Sequence, residues 1–197
     1  MYNRKDAFYR KAKKEGYKSR AAYKLTELNK KYALYNPNSR VLDAGCSPGG
    51  WSQIVLETVK KQPVVGVDLI QVEGMGHPNF HFVLGDLTDN EVLLRVLAVC
   101  PEFDTVLSDA APNTSGTKLL DHVNSCDLVK IIFDFTKKVL RKNGNFCFKL
   151  FDGEDTQELL KAVRKCFSMV KVIRPSATRK SSFEIYVVCK GYTGEKE

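Results

Sequence analysis

The chain has 197 residues, 43% hydrophobic and 10% aromatic, which is enough to bury one core and excludes intrinsic disorder. No apolar run approaches the roughly 18 residues of a membrane span, and the opening MYNRKDAFYRK lacks the apolar stretch of a secretory signal, so a soluble intracellular protein is expected. The net charge of +8 is segregated by sign, with 12 Lys/Arg against 3 Asp/Glu in residues 1–40, 10 against 17 in residues 41–160, and 8 against 1 in residues 161–190.

Basic ends around an acidic middle point to a polyanionic partner such as RNA or DNA, since solvated helix faces mix the two signs. Six cysteines (46, 100, 126, 147, 166 and 189) sit singly in mostly apolar segments with no C-x-x-C pair, so they read as reduced core residues and no metal is expected. In chain order, helical patterns fall near 5–15 and 19–32. Phe8, Tyr9, Tyr17, Tyr23 and Tyr32 are interleaved with their charges, either as packing residues or as stacking platforms for bases. Short strands follow at 40–45, 64–69, 80–86, 103–109, 144–151, 170–175 and 183–189, separated by helical stretches near 50–60, 89–98, 123–141 and 155–167. Alternation of this kind makes an α/β domain, a doubly wound, mostly parallel sheet of seven strands. The last two strands are joined by PSATRKSS alone, too short for a helical crossover, so one of them runs antiparallel. A single domain over 1–197 is expected, with residues 1–39 as a basic helical extension packed on it.

Ligands of such sheets bind beyond the carboxyl ends of the strands. The first loop there reads LDAGCSPGGWSQ, residues 42–53, and three common motifs fail on it. Trp51 stands where a Walker A loop needs its lysine, and a dinucleotide fingerprint would need a second glycine nearer Gly45. A nucleophile elbow centred on Ser47 is followed by Pro48, which has no N–H for an oxyanion, and His77, His81 and His122 show no obvious partnership with it. What remains is a glycine-rich turn, Gly45, Gly49 and Gly50, flanked by acids closing the next strands. Asp68 is placed to bind a pair of ribose hydroxyls, and Asp86 closes the third strand; the set suits a nucleoside without a pyrophosphate, S-adenosylmethionine. Taken singly, each acid also reads as a cap or turn residue.

The fourth strand ends in SDAAPNTSG, with Asp109 on the same rim. Two charges interrupt apolar strands: Lys149 in NFCFKLF and Glu184 in SSFEIYVVC. Each alone could snorkel to water, but opposite charges on neighbouring buried strands point to a pair or a site. Lys24 lies at the edge of the apolar stripe Ala21, Ala22, Leu25, Leu28 and Tyr32, within reach of the cleft.

DAGCSPGGWSQ, SDAAPNTSG, the lysine in FCFKLF, the glutamate in SSFEIY and the upstream YKSRAAYKLTEL together resemble the FtsJ-type ribose 2′-O-methyltransferases over nearly the whole chain. The resemblance implies a catalytic tetrad matching Lys24, Asp109, Lys149 and Glu184, and a cofactor, S-adenosylmethionine, held by residues matching Gly49, Gly50, Trp51, Asp68, Asp86 and Asp109. It implies methylation of a ribose 2′-hydroxyl in RNA, with a uridine of large-subunit ribosomal RNA ranked first. A tRNA anticodon loop, or RNA binding without catalysis, is the alternative. A monomer acting on ribosomal RNA or the large subunit, in the cytoplasm or a mitochondrion, is the corresponding expectation. In the implied chemistry Lys149 accepts the hydroxyl proton beside a second cation, Lys24, and Asp109 orients it. Cys46-Ser47 stands where family members often carry two alanines. The basic ends, residues 1–40 and the connection 174–182, would grip the RNA backbone.

Overall fold

The computed structural model describes residues 7–179 and 181–194. Seven strands form one sheet: β1 (Val41–Ala44), β2 (Val64–Asp68), β3 (Phe80–Leu84), β4 (Phe103–Ser108), β5 (Leu140–Phe151), β6 (Phe167–Ile173) and β7 (Glu184–Tyr192). Their order is β3-β2-β1-β4-β5-β7-β6; β7 alone runs antiparallel, hydrogen-bonded between β5 and β6. The helices are α1 (Ala7–Lys14), α2 (Ala21–Tyr32), α3 (Gly50–Thr58), α4 (Asn90–Val99), α5 (Lys118–Val139) and α6 (Thr156–Cys166). Residues 5 and 6 of the first expected helix lie outside the described residues.

Strands buried on both faces carry apolar residues at nearly every position, and β1 is buried throughout. The two faces build two cores. On one, Leu107, Cys147, Tyr186 and Val188 meet Leu25 and Leu28 of α2 and Trp51 and Val55 of α3. On the other, Phe146, Phe148 and Leu150 meet α5 and α6, with Phe133 stacked on Phe146 at 6.0 Å between ring centroids. All six cysteines are free and buried in or beside these cores.

Three boundaries differ from the sequence reading. Helix α5 begins five residues earlier, because Leu119, Leu120 and Val123 are exposed and blur its apolar period. Strand β5 starts at Leu140, directly after α5, and β6 starts at Phe167, directly after α6. The N-terminal aromatics pack on one another: Tyr23 lies 5.7 Å from both Phe8 and Tyr17, and its hydroxyl donates to Glu15 at 2.7 Å. Among the described residues no helix is long and apolar enough to cross a membrane.

Candidate active site

Parallel β4 and β5, antiparallel β7 and the overlying α2 bring four expected residues to one rim. Ser108 pairs with Phe148, so Asp109 emerges beside Lys149. Lys149 pairs directly across with Tyr186, and Phe151 with Glu184. Period two then puts Lys149, Tyr186 and Glu184 on the same sheet face, the one covered by α2. Lys24 reaches down from α2, buried with Leu25 and Leu28.

These side chains form one continuous chain of contacts. Lys24 Nζ donates to Glu184 Oε1, and also to the Tyr186 hydroxyl at 3.0 Å. The Tyr186 hydroxyl donates to Asp109 Oδ1 at 2.5 Å, and Lys149 Nζ lies 3.3 Å from that same oxygen while donating to the Asp109 backbone carbonyl. Burial, followed by the charges of Asp109 and Glu184, pushes the Tyr186 phenol far above its ordinary range, so it stays neutral and able to donate. Of the pair or site that Lys149 and Glu184 pointed to, the two residues do not pair with each other but share one network: Glu184 pairs with Lys24, and Lys149 with Asp109. Each lysine thus faces its own carboxylate, with Tyr186 as the bridge.

Sequence reasoning missed Tyr186, because a buried tyrosine is an ordinary strand residue. The available signal was its position two residues from Glu184, on the same face.

The glycine-rich turn lies on the β1/β2 side. Gly45 and Gly49 have φ of 74° and 105°, which side-chain-bearing residues rarely adopt. Added Cβ atoms would come within 2.5 Å of Ala110 Cβ at Gly45 and 2.2 Å of Ser19 Oγ at Gly50. At Gly49 one would crowd Lys18, Val72 and Met75. The glycines therefore let neighbouring segments close over the turn. Trp51 is 2% exposed; its indole donates to the Ala21 carbonyl at 2.9 Å and packs 5.8 Å from the Tyr186 ring. Its side chain fastens α2 to the first turn of α3, beside the Tyr186 ring.

Asp68 accepts one backbone N–H on each oxygen, from Ser47 at 2.8 Å and Ile70 at 2.9 Å. A carboxylate has about four lone-pair positions, so each oxygen can still take a hydroxyl. Asp86 is exposed and accepts from Thr88 N and Oγ1, both at 2.8 Å, which hold its carboxyl below the usual range. Asp43 was not singled out from sequence. It is 1% exposed under the first turn of α3, where Ser52 Oγ donates to Oδ2 at 2.6 Å while Oδ1 has no hydrogen-bond partner among the described residues. Burial pushes its carboxyl up to about 7, against the Ser52 hydrogen bond.

His122 has partners of its own, none of them Ser47. Buried on α5, its Nδ1 lies 2.7 Å from the Phe151 carbonyl and its Nε2 accepts the Asp155 N–H at 3.1 Å. It fixes the turn after β5, two residues beyond Lys149, and is occupied there rather than beside Ser47. A groove of about 740 Å³ between α5 and α6, lined by Asp127, Lys130, Asp134 and Lys137, contains none of the rim residues.

Residues 17–192 match the family of FtsJ-like methyltransferases. A ribosomal RNA large subunit methyltransferase E from Methanothermobacter thermautotrophicus is 42% identical over 98% of this chain and 93% of its own length. The protein of that name from Methanosphaera stadtmanae is 39% identical over 98% and 96%. A crystal structure described as a ribosomal RNA methyltransferase from Plasmodium falciparum superposes with a TM-score of 0.81 at 34% identity, covering 91% of this chain and all of the other. With the match extending from ahead of α2 to the end of β7, the chain belongs to the FtsJ-like methyltransferase family.

Proposed function

We propose that this chain methylates a ribose 2′-hydroxyl of large-subunit ribosomal RNA, with Lys24, Asp109, Lys149 and Glu184 as its catalytic residues and Tyr186 as a positioning residue. The observation that carries the reading is the unbroken chain Glu184–Lys24–Tyr186–Asp109–Lys149 on one strand rim. The names of the relatives favour ribosomal RNA over tRNA.

The family's cofactor, S-adenosylmethionine, supplies a methyl group on a sulfonium when bound. The residues present fit it. Asp68 keeps lone pairs for two ribose hydroxyls, and α3 offers the N–H groups of its first turn to a carboxylate. The orphaned Asp43 oxygen adds a buried acceptor beneath that turn. On this reading Gly45, Gly49 and Gly50 shape the turn, Asp68 and Asp86 border the nucleoside, and Asp109 borders both ligands.

A 2′-hydroxyl is a poor nucleophile and needs in-line positioning and a proton acceptor. In that transfer the hydroxyl would give up its proton to the Lys149 amine, which Asp109 aims. Lys24, tethered by Glu184, places positive charge beside the oxygen.

Tritiated S-adenosylmethionine offered with large subunits, free ribosomal RNA and tRNA tests the whole reading. Label is expected in the subunits or their RNA and lost in Lys149→Ala. Label in tRNA would reverse the substrate ranking, and cofactor binding without transfer to any RNA would leave a binding protein.

A further inference from the structure

A second cleft opens from the Lys24–Glu184 end of the site, on the side away from Asp68 and Asp86. It has a volume of about 490 Å³ and is walled by α2, the loop after β4 and the connection between β6 and β7. That is the size range of small-molecule sites. Arg20, Lys118 and Arg179 bring positive charge to it from three separate segments. Its two carboxylates are engaged elsewhere: Glu184 takes Lys24, and Asp121 Oδ1 takes the Ser115 N–H at 2.6 Å and its hydroxyl at 2.8 Å.

The floor is aromatic. Phe183, partly exposed, rests on the buried Phe151 ring with centroids 4.8 Å apart. The Phe183 carbonyl accepts the Asp152 N–H at 2.9 Å, fastening it to the turn after Lys149. The walls are tied together as well: Arg20 donates to the Ala177 carbonyl, and Ser176 donates to Glu27 of α2 from its N–H at 2.8 Å and its hydroxyl at 2.5 Å.

Resting on the ribose-methylation reading above, we infer that this cleft receives the base of the target nucleotide, turned out of its strand and stacked on Phe183, with the adjoining phosphates held by Arg20, Lys118 and Arg179. The chemistry separates the two halves of the rim. Asp68 and Asp86 suit ribose hydroxyls and repel phosphate; the cleft carries cations and a partly exposed phenyl ring, which suit a phosphodiester and a base. The target ribose then lies between them, over Asp109 and Lys149. Stacking on a phenyl ring tolerates any base, so the cleft fixes the geometry of the target nucleotide and leaves its identity to the surrounding RNA.

The test compares Phe183→Leu, which keeps apolar packing on Phe151 but has no π face, with Phe183→Tyr, which keeps both. For Phe183→Leu, kcat/KM toward RNA is expected to fall about tenfold, the effect of losing one base stack, with S-adenosylmethionine affinity unchanged by calorimetry. Phe183→Tyr should recover most of it. In parallel, a single-stranded RNA carrying 4-thiouridine is irradiated with the wild-type protein, and the crosslink should map to the peptide around Arg179–Glu184. Wild-type rate in Phe183→Leu, weakened cofactor binding in that variant, or crosslinks confined to other segments of an active enzyme would each overturn the cleft assignment. A wild-type protein that crosslinks here but methylates no RNA would instead sink the ribose chemistry while leaving the cleft in place.

Discussion

The two ends of the sheet carry similar charged networks and use them differently. At the amino end, Asp104 accepts from Arg40 N at 2.6 Å, Nε at 3.0 Å and Nη2 at 3.2 Å, and from Arg141 Nε, while Glu102 takes Arg40 at 3.1 Å. Burial would raise that carboxyl, but the Arg40 and Arg141 hydrogen bonds outweigh it and bring it down to about 2. At the carboxyl end, Asp109 shares one oxygen between Tyr186 and Lys149, and the lysines are held by one carboxylate each. A planar, always charged guanidinium saturates its partner and staples strands; an ammonium on a flexible stem holds its carboxylate while keeping donors and a transferable proton. Arginines tie the sheet at its amino end, and on the proposed reading the lysines stand where the reaction takes place.

The largest break in this contrast comes from Lys149→Ala, which should cut methyl transfer about 10²- to 10⁴-fold at unchanged cofactor affinity, measured in single turnover. Lys149→Arg should be nearly as inactive, because a guanidinium keeps the charge but does not take up a proton at neutral pH. Wild-type turnover in the arginine variant would assign Lys149 to charge stabilisation alone.

Next in size is the buried carboxylate near the carboxyl end. With its folded pKa raised to about 7, Asp43 is protonated longer in the folded than in the unfolded chain, so its cost to stability grows as pH rises from about 4 toward 7 and beyond. Relative to Asp43→Asn, the cofactor-free wild type should lose about 2–3 kcal/mol between pH 5 and pH 8, read from urea unfolding at the two pH values. A pH-independent difference would show that Asp43 is not the titrating group.

Asp104→Asn sharpens the comparison from the other end. Because the folded carboxyl is depressed, its contribution is present above about pH 4 and lost as pH falls toward 2. The variant should be about 1–2 kcal/mol less stable at pH 7, after allowance for screening of this partly exposed pair, with methyl transfer near wild type at permissive temperature.

The smallest effect is expected for Tyr186→Phe, which removes the bridge and leaves both ion pairs. A loss of kcat of about five- to tenfold, with RNA and cofactor affinities retained, would match one hydrogen bond to a charged group. A loss as deep as that of Lys149→Ala would mean the two pairs work only as one unit.

How much of the site was legible depended on whether a residue broke its local pattern. Lys149 and Glu184 are charges in apolar strands, and Asp109 follows a strand at the ligand-binding rim, so all three stood out. Tyr186 did not, nor did the contacts that Trp51 and His122 make, because their buried bodies satisfy an ordinary strand or helix pattern and only their polar tips carry information. Those tips find the Asp109 carboxylate, the Ala21 carbonyl and the Asp155 N–H, far away in sequence.

Periodicity and composition by themselves determined the alternating elements, the two-sided burial of the strands, the basic ends and the odd charges, since these depend on neighbours within a few residues. They left open which of the last two strands runs antiparallel. Tertiary structure decided for β7, whose first residue is Glu184 and whose neighbours are β5 and β6. An antiparallel strand begins at the rim where its parallel neighbours end, so Glu184 arrives beside Lys24 and Tyr186 opposite Lys149. Run the other way, the same sequence would carry Glu184 to the amino end, among the arginines, and the rim would have no carboxylate for Lys24.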